Sequence, residues 1–170
     1  PREFDVDEAL EAAMDAFWAK GYEATSLTDL MAATGLHKGS LYQAFGDKHS
    51  LFLESLKRYL SQMRQTEHAE FAKADTPAEG LRRVAHSLVD LVDDDSDPPR
   101  GCMAVNALVE MAPHDPDVQA ILSDHVGRMR ATIEEAIAQA QADGDIDDSR
   151  PPSLLAGMLM TFVSGLGTTM

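Results

Sequence analysis

Apolar residues recur at spacings of three and four along almost the whole chain, the period of helices buried on one face. In "FDVDEALEAAMDAFWAKG", Val6, Leu10, Ala13, Met14 and Phe17 form one such stripe, with Asp5 or Asp7 placed to cap it and Gly21 to stop it. In "TSLTDLMAATG", Ser26 and Asp29 stand as the N-cap and N3 residues of a capping box, and Leu27, Leu30 and Met31 make the apolar face. Gly35 then breaks the chain. A very short helix is predicted from about His37 to Phe45, with Leu41 and Phe45 inward, and a long one from Asp47 to about Phe71.

The second half continues the pattern. "TPAE" (Thr76 to Glu79) supplies a Thr cap, a Pro at the first helical position and a Glu at N3, and Leu81, Val84, Leu88 and Leu91 follow at helical spacing. The acidic stretch "DDDSDPP" ends that helix. A moderate helix is predicted from Cys102 to Met111, halting at Pro113. Asp115 and Pro116 open another long one, striped by Val118, Ile121, Leu122, Val126, Met129, Ile133 and Ile137. After "DGDIDDSRPP" comes a final apolar helix. The expected fold is all-α: a compact three-helix head over residues 1–46 and a larger helical body over 47–170.

Composition supports this: Ala, Leu and Met outweigh the β-branched and aromatic residues. The single cysteine, Cys102, excludes an intrachain disulfide and fits a reducing, cytoplasmic compartment. "LLAGMLMTFVSGLGTTM" is uncharged, yet it holds three Gly and three Thr and no flanking basic cluster, so an interface helix is expected there and not a membrane span. Pro1 in place of Met, and an apolar pattern that stops at Met170, read as a chain missing residues at both ends.

Two short helices around a Gly-containing turn are a helix-turn-helix, whose second helix lies in the major groove of double-stranded DNA. Here that helix turns His37, Lys38, Ser40 and Gln43 outward. Gly39 lets a backbone approach, Tyr42 offers a phenolic O–H to a phosphate, and Lys48 sits at a new helix N-terminus. Ser26 and Thr28 open the first helix and suit phosphate contacts. The pattern alone leaves open a helical small-molecule-binding or protein-interaction module that touches no DNA.

"GYEATSLTDLMAATGLHKGSLYQAFGDKHSLF" resembles the TetR family of bacterial transcriptional regulators, at Gly21-Tyr22, Thr25-Ser26, Leu30, Ala33, Gly35-Leu36, Lys38 to Tyr42, Phe45, Lys48 and Leu51-Phe52. The resemblance implies a homodimer that represses transcription from a palindromic operator and is released by a small-molecule inducer. By position it makes Thr25, Ser26, Thr28, Lys38, Ser40, Tyr42, Gln43 and Lys48 candidate DNA contacts. His37 departs from the family's usual Ser or Asn cap, so it either caps poorly or reaches the DNA itself. The resemblance also assigns the helix from Asp47 to linking head and pocket, and the last two helices to the dimer interface, where Gly157, Gly165 and Gly167 permit close approach.

Met63, Leu88, Met103, Asn106, Met129, Met158 and Met160 are candidate ligand-lining residues, the methionines because they adapt to many shapes, with plain core as the alternative. Asn106, polar within "MAVNALVEM", needs a partner if buried. Cys102, after "PPRG" at a helix N-terminus and two residues from Arg100, is placed for raised thiol reactivity and is a further candidate in the pocket; the resemblance implies electrophile or oxidant sensing for it, with a small buried filler as the alternative. Other chemistry is weaker. The Asp93-Asp95-Asp97 spacing resembles a Ca²⁺ loop but has Pro98 and Ala104 where Gly and Glu are needed. The scattered His residues give no zinc pair, although thiol, imidazole and thioether groups leave a copper-type ligand set open. No cofactor motif and no nucleophile–base set is visible, so no enzyme is expected.

The formal charge of −15 is unevenly spread. Residues 24–50 carry Lys38 and Lys48 against Asp29 and Asp47, a net of zero, while residues 1–23 hold two basic against seven acidic groups. The reading face is therefore locally neutral, with cations at its edge, within an acidic chain.

Overall fold

Each break in the apolar period is a helix end in the structure. A computed structural model describes residues 4–92 and 100–167 and places eight helices in them. These are α1 (Val6–Lys20), α2 (Leu27–Thr34), α3 (Lys38–Phe45), α4 (Lys48–Ala72), α5 (Pro77–Val92), α6 (Met103–Glu110), α7 (Pro116–Ala142) and α8 (Pro152–Gly167). No strand occurs among the described residues. The acidic loop at 93–99, with its Ca²⁺-like spacing, lies outside them.

The caps are local and chemical. Asp5 accepts the Asp7 and Glu8 amides, Asp47 the Ser50 amide, and Asp115 the Asp117 and Val118 amides, so each satisfies N–H groups that a helix start leaves unpaired. Ser26 and Asp29 close a full capping box, and at the start of α5 the Thr76 hydroxyl accepts the Glu79 amide while the Glu79 carboxylate accepts the amide of Asp75. Gly21 (φ 79°) and Gly35 (φ 68°) end α1 and α2 in backbone conformations that side chains disfavour.

Two predicted stripes are off by one position. In α1 it is Ala9 that is buried with Ala13, Met14 and Phe17, while Val6 is half exposed. In α7 His125 is buried and Val126 is nearly half exposed, because Val118, Leu122, His125, Met129 and Ile133 lie at spacings of four and three and Val126 falls just beside that line.

Phe17, Leu30, Leu41, Leu51, Phe52 and Leu56 belong to one buried cluster that runs on through Tyr59, Met103 and Ala107 to Val118 and Leu122. The turn at Gly46 thus separates elements without interrupting the core. A smaller cluster, Leu81, Ile133, Ile137 and Ala156, joins α5, α7 and α8. No helix of the described residues is long and apolar enough to cross a membrane.

Candidate functional site

Leu41, fully buried, pins α3 to the core and fixes which face of that helix points out. His37, Lys38, Gly39 and Gln43 are exposed there, with Ser40 and Tyr42 half-buried beside them. A Cβ built on Gly39 would meet nothing within 4 Å, so the face is open at its centre. The Lys38 ammonium lies 5.5 Å from the Tyr42 ring centre and the Lys48 ammonium 4.4 Å from that of Tyr22, contacts that hold both cations near the ends of α3. His37 is the N-cap of α3 but makes no side-chain cap bond, which leaves its ring outside the helix's own hydrogen bonding.

Ser26 and Thr28 are exposed at the start of α2. The Ser26 hydroxyl already donates to Asp29 (2.6 Å), whose carboxylate also takes the Lys20 ammonium at 2.5 Å. That ammonium, and then the Ser26 hydroxyl and amide, hold the Asp29 carboxyl well below the usual carboxylate range. Thr25 corrects the expectation for it. It is fully buried, and its hydroxyl donates to the Gly21 carbonyl at 2.6 Å, closing the turn between α1 and α2, so it faces no phosphate.

Sequence spacing did not suggest two contacts, one that ties the head to the body and one that ties α4 to the start of α7. Glu110, the last residue of α6, accepts the Tyr22 amide at 3.0 Å with one carboxylate oxygen and the Glu23 amide at 2.8 Å with the other. Gly21 makes room for it, since a Cβ there would lie 2.8 Å from Glu110 Oε2. His49, in the first turn of α4, meets Asp115 at 2.7 Å. Asp117 completes a group with His49 and Asp115 whose ligand-type atoms lie within 4.8 Å of one another, but Asp115 spends one oxygen capping α7 and the other on His49.

Between α4, α5, α6, α7 and α8 lies a cavity of about 100 Å³. Met63, Leu88, Cys102, Met129 and Met160 line it, as the sequence suggested. Three other candidates do not. Met103 is packed in the main core on the opposite side of α6, and Asn106 spends its amide on the Arg100 carbonyl (2.9 Å). Met158, 61% exposed, sits on the outer face of α8. Leu81, Val84, Val105 and His125 belong to the wall instead. The α5 pair was legible as a stripe, whereas His125 carried no local signal. Cys102 is buried at the start of α6 and its sulfur accepts the Tyr59 hydroxyl at 3.5 Å. Burial, and then the neighbouring thiol, push the Tyr59 phenol up. The Arg100 guanidinium lies over Trp18, 4.1 Å from the ring centre.

A second space of about 250 Å³ adjoins the first across Met63, Val84, Leu88 and Met129. Glu67 lines it with one oxygen buried and unpartnered, and burial raises its carboxyl pKa.

The profile "Bacterial regulatory proteins, tetR family" matches residues 9–55, and "Tetracyclin repressor-like, C-terminal domain" matches residues 77–170. The HTH-type transcriptional repressor ComR of Escherichia coli K12 is 31% identical over 98% of this chain and 79% of its own length. A cysteine variant of the TetR family transcriptional regulator CifR, solved with 26-bp double-strand operator DNA, is 36% identical with a TM-score of 0.81, covering 98% of this chain and 86% of that one. A TetR regulator structure from Chloroflexus aurantiacus shares the fold at a TM-score of 0.84 and 22% identity, over 94% of this chain and 80% of that one.

Proposed function

The chain belongs to the TetR family of transcriptional regulators, and on that premise we propose that it represses transcription as a homodimer on a palindromic operator. It is a DNA-binding regulator and not an enzyme. Residues 1–46 serve as the reading head and residues 47–170 as the ligand-binding and dimerisation body. The open polar face of α3, held outward by buried Leu41, carries this reading. His37, Lys38, Ser40 and Gln43 reach into the major groove, Gly39 lets the backbone come close, and Tyr42, Lys48, Ser26 and Thr28 meet phosphates. The complex of the CifR variant with operator DNA supports the same use of the fold here. Acting on the chromosome, the protein works in the cytoplasm.

Leu154, Met158 and Phe162, four residues apart and 44%, 61% and 64% exposed, form an apolar stripe on α8 that a second copy covers. Such a pairing sets two α3 helices at half-sites ~34–36 Å apart. A small molecule in the cavity favours one placement of α6, which carries cavity-lining Cys102 at its N-cap, Ala104, Val105 and Leu108 along its length, and Glu110 at its end. Movement of α6 then reaches the Tyr22–Glu23 turn of the head.

The test is selection of genomic fragments by the purified protein, followed by footprinting. The expected result is a protected palindrome, lost in the Lys38→Ala/Tyr42→Phe double variant while its helical circular dichroism is retained. Protection that survives in the double variant, or no enrichment at low salt, overturns the reading.

A further inference from the structure

We propose that the cavity walled by α4 to α8 takes an uncharged, mostly hydrocarbon molecule with one hydrogen-bonding group, and that His125 meets that group. The inference rests on reading the body as effector-binding and names the chemistry of the effector. Among the described residues no Asp, Glu, Lys or Arg side chain lines this cavity. A charged ligand entering it would lose its hydration and find no counter-charge, which excludes free carboxylates and ammonium ions.

Two side chains with nitrogen or oxygen atoms interrupt an otherwise apolar wall, Ser164, which is exposed, and His125. It is 95% buried by its 5% exposure and makes no hydrogen bond to the described residues. Asn106, by contrast, is satisfied by a backbone carbonyl, and the Cys102 sulfur by Tyr59. An imidazole left in this way holds one donor and one acceptor available to a ligand. Burial, and then the positive charges of Arg64 and Arg128, press its pKa below the ordinary value, so it stands neutral near pH 7. A neutral imidazole suits a hydroxyl, carbonyl or ether better than an ion. The size agrees. A cavity of ~150 Å³ admits a benzene, so about 100 Å³ with some overflow across Met63 and Met129 fits a body of similar bulk.

Glu67, in the adjoining space, offers the contrary reading of an amine-recognising carboxylate, and the experiment separates the two. Three six-carbon probes, 1-hexanol, hexylammonium and hexanoate, are titrated into the full chain by calorimetry, with n-hexane as the apolar reference by methyl NMR shifts. The expected result is hexanol binding about tenfold tighter than either ion. In His125→Leu that affinity falls about tenfold while hexane binding is unchanged. Unchanged hexane binding and unchanged helical circular dichroism in the variant show that loss of hexanol binding is not loss of the fold. Hexylammonium or hexanoate binding as tightly as hexanol, hexanol binding intact in His125→Leu, or no probe bound at all overturns the proposal. Operator occupancy is measured separately. Hexanol bound in a His125-dependent way without release of DNA would sustain the cavity's chemistry and defeat the inducer reading alone.

Discussion

At the scale of single residues, position in a motif and exposure disagree, and exposure decides. Thr25 and Ser26 are neighbours in the same pattern, yet one hydroxyl is sealed against the Gly21 carbonyl and the other lies at the surface capping α2. Thr25→Val keeps the shape and removes the donor. It is expected to cost about 1–2 kcal/mol of stability, read from the denaturant midpoint, with operator affinity unchanged well below the Tm. Lost affinity at intact stability would restore Thr25 as a DNA contact. The same distinction decides between the two partners open to Asn106, a ligand or a neighbouring carbonyl. A polar residue in an apolar run needs a partner, but sequence does not say whether that partner is a ligand or, as here, the carbonyl of Arg100 six residues back.

At the scale of elements, legibility follows the range of the interaction. Helix ends at Asp5, Ser26, Asp47, Thr76 and Asp115 are written within three or four residues, so capping chemistry predicted them and the structure has them. The grip of Glu110 on the amides of Tyr22 and Glu23 spans 88 and 87 residues and left no local trace. His125 was hidden for a related reason: one polar residue on the α7 stripe reads as an interruption until its neighbours on other helices are known. Glu110 makes α6 a strut, eight residues long, between the cavity and the head. In Glu110→Ala the Tyr22 and Glu23 amides should exchange with solvent about tenfold faster, a shift of roughly 1.4 kcal/mol in local opening. Amides of α7 distant from the contact should be unaffected, and operator affinity should fall because the head is no longer fixed. Unchanged exchange at both amides would remove α6 from the route between effector and DNA.

At the scale of the whole molecule, a chain of formal charge −15 must hold a polyanion, and the arrangement of its few cations sets how. Lys20 is spent on Asp29, and Arg58 on Asp7 and Glu11, so neither is free to neutralise phosphate. Lys38 and Lys48 remain at the reading helix, each beside a tyrosine ring and neither in an ion pair among the described residues. A homodimer therefore brings about four such cations to the duplex, and the remaining contacts fall to amides, hydroxyls and helix N-termini, which release no counterions. The logarithm of operator affinity should fall against the logarithm of salt with a slope near −4, at about −0.9 per neutralised phosphate. Lys38→Ala should flatten that slope by about 2, one charge from each protomer. A wild-type slope of about −9 would require a basic surface that the described residues do not possess. The acidic body, repelled by any stretch of DNA that α3 does not fit, should make non-specific binding weak. Specificity in this protein then comes as much from what its charge refuses as from what its reading helix accepts.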